Sequence, residues 1–297
     1  MTIIGHHVVR ERLAQILRND AVAHVYVFSG PAQIGKVTLA RAFATALVTG
    51  AKKCDNIVTH VDIAHLQPAT VQSKHGVVRT RDIGVEQVRD VIARATQTPL
   101  SGRYRVIIIE DADRMTVAAQ NALLKTLEEP ATQTVLLLTA TRYDALLPTV
   151  RSRVHHFALT RLDATQMKEI AATFFSANRD CVAACRIAQG RYGVLATIAN
   201  DKALFDWYKK MLTQWEQFST MTLAQKVTLA QDLAQDLSVA QRAVIVWIDL
   251  WRAQIYDSDA RCSIAHNLAL AQNLYQDLTE GRVNARLALE SFLFNVA

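Results

Sequence analysis

The sequence predicts an α/β fold: a module built on a mainly parallel sheet, followed by a long all-helical part. Three observations carry this. Apolar runs of strand length (Val25–Phe28, Tyr104–Ile109, Thr134–Thr139) alternate with stretches whose apolar residues recur at helical spacing. The first run breaks into a glycine turn, Gly30 to Gly35, then Lys36 and a helical pattern, which is the layout of a phosphate-binding loop. From residue 161 onward every apolar period is helical.

In order, Val9, Leu13, Ile16 and Leu17 give a helix over residues 7–19 one apolar face. The helix after the loop covers about 36–49 and ends near Gly50. Val58 to His65 alternates like a strand that Pro68 ends, and the basic stretch from Gln72 to Arg81 reads as a loop. Val85, Val88, Val91, Ile92 and Ala95 form the next helix face, closed by Pro99. Within Tyr104–Ile109, Val106–Ile109 is continuously apolar, as a strand buried on both faces requires. Glu110 and Asp111 follow it, at the carboxyl end where such sheets bind ligands.

A helix spans Met115 to Glu129, with Met115, Ala118, Ala119, Ala122, Leu123 and Leu127 inward, and Pro130 follows. After the third apolar strand, Leu146 to Arg153 leads to a short apolar strand near His156 to Leu159. Short helices are expected over about 163–176, 179–189 and 194–203, with Gly190 to Gly193 as a turn. Four or five more follow residue 204 and carry Trp207, Trp215, Trp247 and Trp251. Basic residues do not interleave these tryptophans, so they read as core or subunit contact rather than a nucleic-acid stacking platform. The expected division is 1–160, 161–203 and 204–297.

The chain carries a net charge of +6, with +8 on residues 1–203 and −2 on 204–297. A basic N-terminal part suits nucleic acid or nucleotide phosphates, although a solvated surface would look the same. The first residues lack the layout of a signal peptide and no apolar run is long enough to cross a bilayer. Cys54, Cys181, Cys185 and Cys262 form no C-x-x-C pair, and Cys181 and Cys185, four apart, read as small core residues. These features point to the cytoplasm. His60, His65 and His75 follow Cys54 at spacings that match no common zinc pattern, so no metal site is expected.

The assembled motifs resemble the clamp-loader subunits of the AAA+ superfamily over about residues 4–203. The pieces that carry the resemblance are His24-Val-Tyr-Val-Phe-Ser-Gly-Pro31, Arg114-Met115 with Gln120-Asn-Ala-Leu-Leu-Lys-Thr-Leu-Glu-Glu-Pro130, and Leu146-Leu-Pro-Thr-Val-Arg-Ser-Arg153. The resemblance implies an AAA+ P-loop module, a small helical lid and a helical collar. It also implies a heteropentameric ring that opens a sliding clamp and places it on primer–template DNA. In that family a Ser-Arg-Cys segment sends an arginine into the neighbouring subunit's ATP site. Here the segment reads Ser152-Arg153-Val154, which keeps the arginine. Such a finger contributes roughly 10³–10⁵ in rate to phosphoryl transfer. Many bacterial relatives carry a four-cysteine zinc module after the first helix of the module; only Cys54 stands there.

Against the family pattern, four positions of the chain's own nucleotide site depart. Val37 replaces the hydroxyl that holds magnesium, and the adjacent Thr38 lies about 100° round the helix. The acidic pair reads Glu110-Asp111 rather than Asp-Glu, Thr141 takes the sensor position, and Gly193 takes the place of a lid arginine. With Gly30, Gly35 and Lys36 retained, the expectation is a degenerate site in a stator-like subunit. It needs no cofactor of its own, while neighbouring subunits bind ATP and magnesium and its own pocket binds nucleotide weakly at most. Two alternatives remain: an active DNA-stimulated ATPase subunit, and a DNA-binding module that uses the basic N-terminal part alone.

Overall fold

A computed structural model describes residues 4–72, 78–95, 97–129, 131, 133–255, 261–280 and 283–296 of the chain. His75 and Pro130 lie outside these residues. Two compact units form: one within residues 1–71, 80–167 and 190–193, the other within 72–79, 168–189 and 194–297. The residues expected to form a separate lid thus fall largely into the same unit as those expected to form the collar.

The first part of the chain runs α1 (His7–Asn19), β1 (Val25–Ser29), α2 (Lys36–Thr49), β2 (Ile63–Leu66), β3 (Thr70–Gln72), β4 (Val78–Thr80), α3 (Val85–Ala95) and β5 (Arg105–Ile109). It continues with α4 (Val117–Glu128), β6 (Thr134–Ala140), the four-residue α5 (Pro148–Arg151) and β7 (His155–Ala158). Five strands make one parallel sheet in the order β2-β5-β6-β1-β7. The register sets Tyr26 opposite Leu137 on one side and His155 on the other. Successive strand residues point to opposite faces. Tyr26, Phe28, Val106, Ile108, Val135 and Leu137 therefore pack with Leu39, Phe43 and Leu47 of α2. Val25, Val27, Ile107, Ile109, Leu136 and Leu138 pack with Val88 of α3 and Leu123 of α4.

Four expectations are corrected here. The strand expected over Val58–His65 is confined to Ile63–Leu66, because a turn bonded from Ile63 N–H to the His60 carbonyl bends the chain before it. The stretch expected as a loop over Gln72–Arg81 carries β4 and the end of β3, which pair as a two-stranded sheet. Ala118, expected inward on α4, is exposed. The strand expected as apolar near His156 to Leu159 is the sheet's edge, so most of its side chains face solvent.

That turn before β2 centres on Asp62, whose side chain is fully buried. Its carboxylate accepts from the N–H groups of Leu100, Ser101 and Gly102 at 2.7, 2.9 and 2.8 Å. His60 Nδ1 accepts from the Asp62 N–H at 3.1 Å, so Nε2 carries the imidazole proton and faces Ser101 Oγ at 3.4 Å. With Nδ1 already accepting, this Ser-His-Asp grouping has the wrong tautomer for activating a hydroxyl. It ties the turn before β5 to the turn before β2.

The remaining helices are α6 (Ala164–Phe174), α7 (Asn178–Ala188), α8 (Tyr192–Asn200), α9 (Lys202–Gln217), α10 (Leu223–Ala234), α11 (Leu237–Gln254), α12 (Arg261–Glu280) and α13 (Ala285–Asn295). The expected turn at Gly190–Gly193 is shorter, since α8 already begins at Tyr192. Side-chain caps start several of these helices: Asp201, Asp236 and Asn284 accept first-turn N–H groups, and Thr222 with Gln225 makes a capping box. Trp215, Trp247 and Trp251 are buried, and Trp247 stacks on Phe292 at 6.0 Å. Trp207 is half-buried beneath the Arg242 guanidinium. Cys181 and Cys185 are also only half-buried. No helix among the described residues is long and apolar enough to cross a membrane.

Burial opposes ionisation of Asp62, but the three backbone donors and His60 outweigh it and hold the carboxyl at about 2. The ordinary value in an unfolded chain is about 3.9. This stabilisation is therefore complete above about pH 4 and is lost as pH falls through about 2. Asp62→Ala should destabilise the first unit by on the order of 3 kcal/mol, and should flatten the acid limb of its stability curve, read by urea unfolding between pH 2 and 6.

Candidate functional site

The parallel register brings three strand ends together. Ser29 pairs with Ala140, so the turn after β1 starts beside the residue that follows β6, and the Gly30 N–H donates to the Ala140 carbonyl at 3.1 Å. Gly30 has φ 145°, and a Cβ there would run into the Leu159 carbonyl, so only glycine fits. Gly35, with φ 101°, precedes α2 and gives it no side-chain cap; no acid lies in the first turn. The helix start therefore keeps the unpaired N–H groups and positive dipole end that suit an anion.

Lys36 is only 5% exposed. Its Nζ donates to the Gly30 and Pro31 carbonyls, each at 2.8 Å, and to Thr141 Oγ1 at 3.2 Å. Burial lowers its pKa, while Asp111 and Asp113 act in the opposite sense. Val37 and Thr38 are both half-buried on the first turn. Val37 presents no oxygen there.

The two predicted acids part company. Glu110 accepts from His65 Nε2 at 2.6 Å and lies 3.6 Å from the Arg41 guanidinium. Arg41 Nη2 is 3.2 Å from His65 Nδ1, so that nitrogen accepts and Nε2 carries the proton toward Glu110. Asp111 takes a left-handed backbone, φ 47°, and its N–H donates to the buried Thr139 hydroxyl at 3.1 Å. Burial and the charge of Asp113 raise the Asp111 carboxyl's pKa; Lys36 counters them. Asp113 accepts from the N–H groups of Thr141 and Arg142 at 3.0 and 3.2 Å, which fixes the residue expected at the sensor position.

Two further contacts close the loop from outside. The Gly193 N–H donates to the Gln33 carbonyl at 2.8 Å, and a Cβ on Gly193 would lie 2.6 Å from that oxygen. His6 Nε2 lies 2.9 Å from the Ile34 carbonyl. Carbonyls 30, 31, 33 and 34 thus all accept from the chain's own donors. Ser29 Oγ sits 2.6 Å from His156 Nε2, whose ring stacks on Tyr143 at 3.8 Å; burial lowers the His156 pKa.

Arg153, by contrast, is exposed. Ser152 caps the carboxyl end of α5, and its Oγ donates to the Thr149 carbonyl at 3.1 Å. Arg153 Nη1 donates to the same carbonyl at 3.0 Å and to Ser152 Oγ at 3.2 Å, while Nη2 pairs with Glu128 at 2.9 Å. The two most specific motifs of the sequence therefore touch: Glu128 ends the Ala-Leu-Leu-Lys-Thr-Leu-Glu-Glu helix.

Sequence reasoning did not find His6, Gln33, Arg41, Asp113 or Glu128, and it left His65 without a role. Asp113 stood in view as the third acid of Glu110-Asp-Ala-Asp113. The others meet their partners through contacts set by sheet register and chain crossing, which leave no local pattern.

The family profile described as DNA polymerase III, delta subunit matches residues 5–163. A DNA polymerase III subunit delta′ of Pseudomonas aeruginosa is 40% identical over 143 residues, 44% of this chain and 41% of that protein. A DNA polymerase III subunit gamma/tau of Mycobacterium tuberculosis is 32% identical over 180 residues, 57% of this chain and 30% of that protein. The matched region thus spans less than half the length of either relative. The crystal structure of a DNA polymerase III gamma subunit-related protein from Thermotoga maritima covers 95% of this chain and 97% of its own, with a TM-score of 0.56 and 14% identity, a likeness of fold. A five-stranded parallel sheet with a glycine loop after β1, the matched half of the sequence and this shared fold agree: the chain belongs to the DNA polymerase III delta subunit family.

Proposed function

We propose that this chain is a clamp-loader subunit of the delta-prime kind, a stator with a degenerate ATP site that lends Arg153 to a neighbour. Its place is a heteropentamer with gamma/tau-type and delta-type subunits, which loads the sliding clamp on primer–template DNA within a DNA polymerase III holoenzyme in replication. The observation that carries the reading is the contrast between the two ends of the module. Lys36 is buried on its own loop carbonyls, whereas Arg153 stands exposed on the Ser-Arg segment.

The donor set argues against magnesium in this chain's own site. Val37 offers no ligand, Glu110 is held by His65 and Arg41, and any side chain at position 193 would collide with Gln33. The anion cradle of Gly30, Gly35 and Lys36 persists, so a phosphate group alone fits better than a metal-bound triphosphate. No step is assigned to nucleotide in this pocket. Arg153 instead supplies positive charge where negative charge develops on a phosphoryl group bound next door.

The second reading, an active gamma/tau-like ATPase, draws on that retained cradle and on the gamma/tau relatives. Steady-state ATP turnover by the isolated chain separates the two. It should stay at background, and Lys36→Ala should leave it there; turnover that collapses in Lys36→Ala would favour the ATPase. In the reconstituted complex, Arg153→Ala should lower ATP turnover at the site it serves by roughly 10³-fold, the low end of what such fingers contribute, while assembly by gel filtration is unchanged. Undiminished turnover would remove the finger assignment.

A further inference from the structure

We propose that Glu128 is the exchange partner of Arg153: it holds the guanidinium in the free subunit and gives it up to the terminal phosphate of a neighbour's nucleoside triphosphate. This rests on the reading of Arg153 as a finger. The guanidinium is held in two ways. Nη1 is anchored on neutral acceptors of its own segment, the Thr149 carbonyl at 3.0 Å and Ser152 Oγ at 3.2 Å. Nη2 is aimed by one charged group from another helix, Glu128 Oε1 at 2.9 Å. Arg151, the other cation of the segment, pairs with Asp144 at 3.2 Å and lies over the Tyr143 ring, which leaves Arg153 to Glu128.

The side chains of Arg153 and Glu128 are 38% and 53% exposed. An ion pair so open to water is weak, worth a factor of about five at most. A terminal phosphate offers more negative charge and three acceptor oxygens, in an interface that excludes water, so it outcompetes a single carboxylate. The anchor on Thr149 and Ser152 stays in place while Nη2 changes partner, which keeps the exchange to one end of the group. Once the neighbour has hydrolysed its nucleotide and the terminal phosphate has left, Glu128 reclaims Arg153, and the interface loses that contact. Glu128 touches no nucleotide; it is a positioning residue.

The test uses the full chain in a complex reconstituted with its ATPase neighbours, carrying Glu128→Gln, Arg153→Ala or both. Glu128→Gln should lower the KM for ATP two- to five-fold and tighten binding of a non-hydrolysable ATP analogue equally, with kcat changed less than two-fold. On the Arg153→Ala background the same substitution should do nothing. A Glu128→Gln effect that persists there, or an unchanged KM in a complex whose turnover still depends on Arg153, overturns the exchange. Turnover indifferent to Arg153→Ala overturns the finger itself, and the exchange with it.

Discussion

A buried ammonium has to be surrounded by oxygen, and the way Lys36 meets that demand organises the module. Its three acceptors belong to the turn after β1 and to the residue that follows β6. The lysine therefore stitches two adjacent strand ends together. Loss of these acceptors would leave an uncompensated charge, a cost of several kcal/mol. The turn after β1 and the Thr141 side chain are held where they keep that charge solvated by the protein. Gln33 and Ile34 are fixed in turn by Gly193 and His6, so the loop is held on both sides.

The sheet was legible in the sequence because burial on both faces forces a strand to be apolar at every position. The central residues of β1 (Val25–Phe28), β5 (Val106–Ile109) and β6 (Val135–Leu138) meet that condition, and the strands begin and end within a residue or two of these runs. α1 and α2 were equally plain, with one-faced periodicity and, for α2, a glycine stop. Where the reading failed, a polar contact had overruled the pattern. Val58 to His65 alternates, but Asp62 needs three donors from the turn at residues 100–102, and the chain bends to supply them. β7 breaks the rule in another way: an edge strand is buried on one side only, and its two histidines carry no apolar signal.

The site divides along the same line. Residues with a motif around them, such as Gly30, Lys36, Glu110, Asp111 and Arg153, could be named from the sequence, but the partner of each could not. Glu110 looks from its position like a group for the loop, yet the neighbouring strand offers His65 at hydrogen-bonding distance and draws it away. The pairing is possible because Leu66 lies opposite Ile109, which sets the ends of β2 and β5 side by side. On the proposed reading, the acid that a working site would commit to metal has been converted into a structural link between strands.

The close approach of Gly193 to the loop bears on the history of such a site. A side chain of any size at position 193 meets the Gln33 carbonyl before it can reach toward a phosphate, and Gln33 holds a left-handed backbone that fits the present loop. Regaining an arginine there therefore requires the loop to change first, while the loop has no reason to change until the arginine is present. Each step alone is a loss. On the proposed reading, packing has turned a set of single substitutions into a ratchet: a nucleotide site that drifted out of use one residue at a time cannot return by the same path.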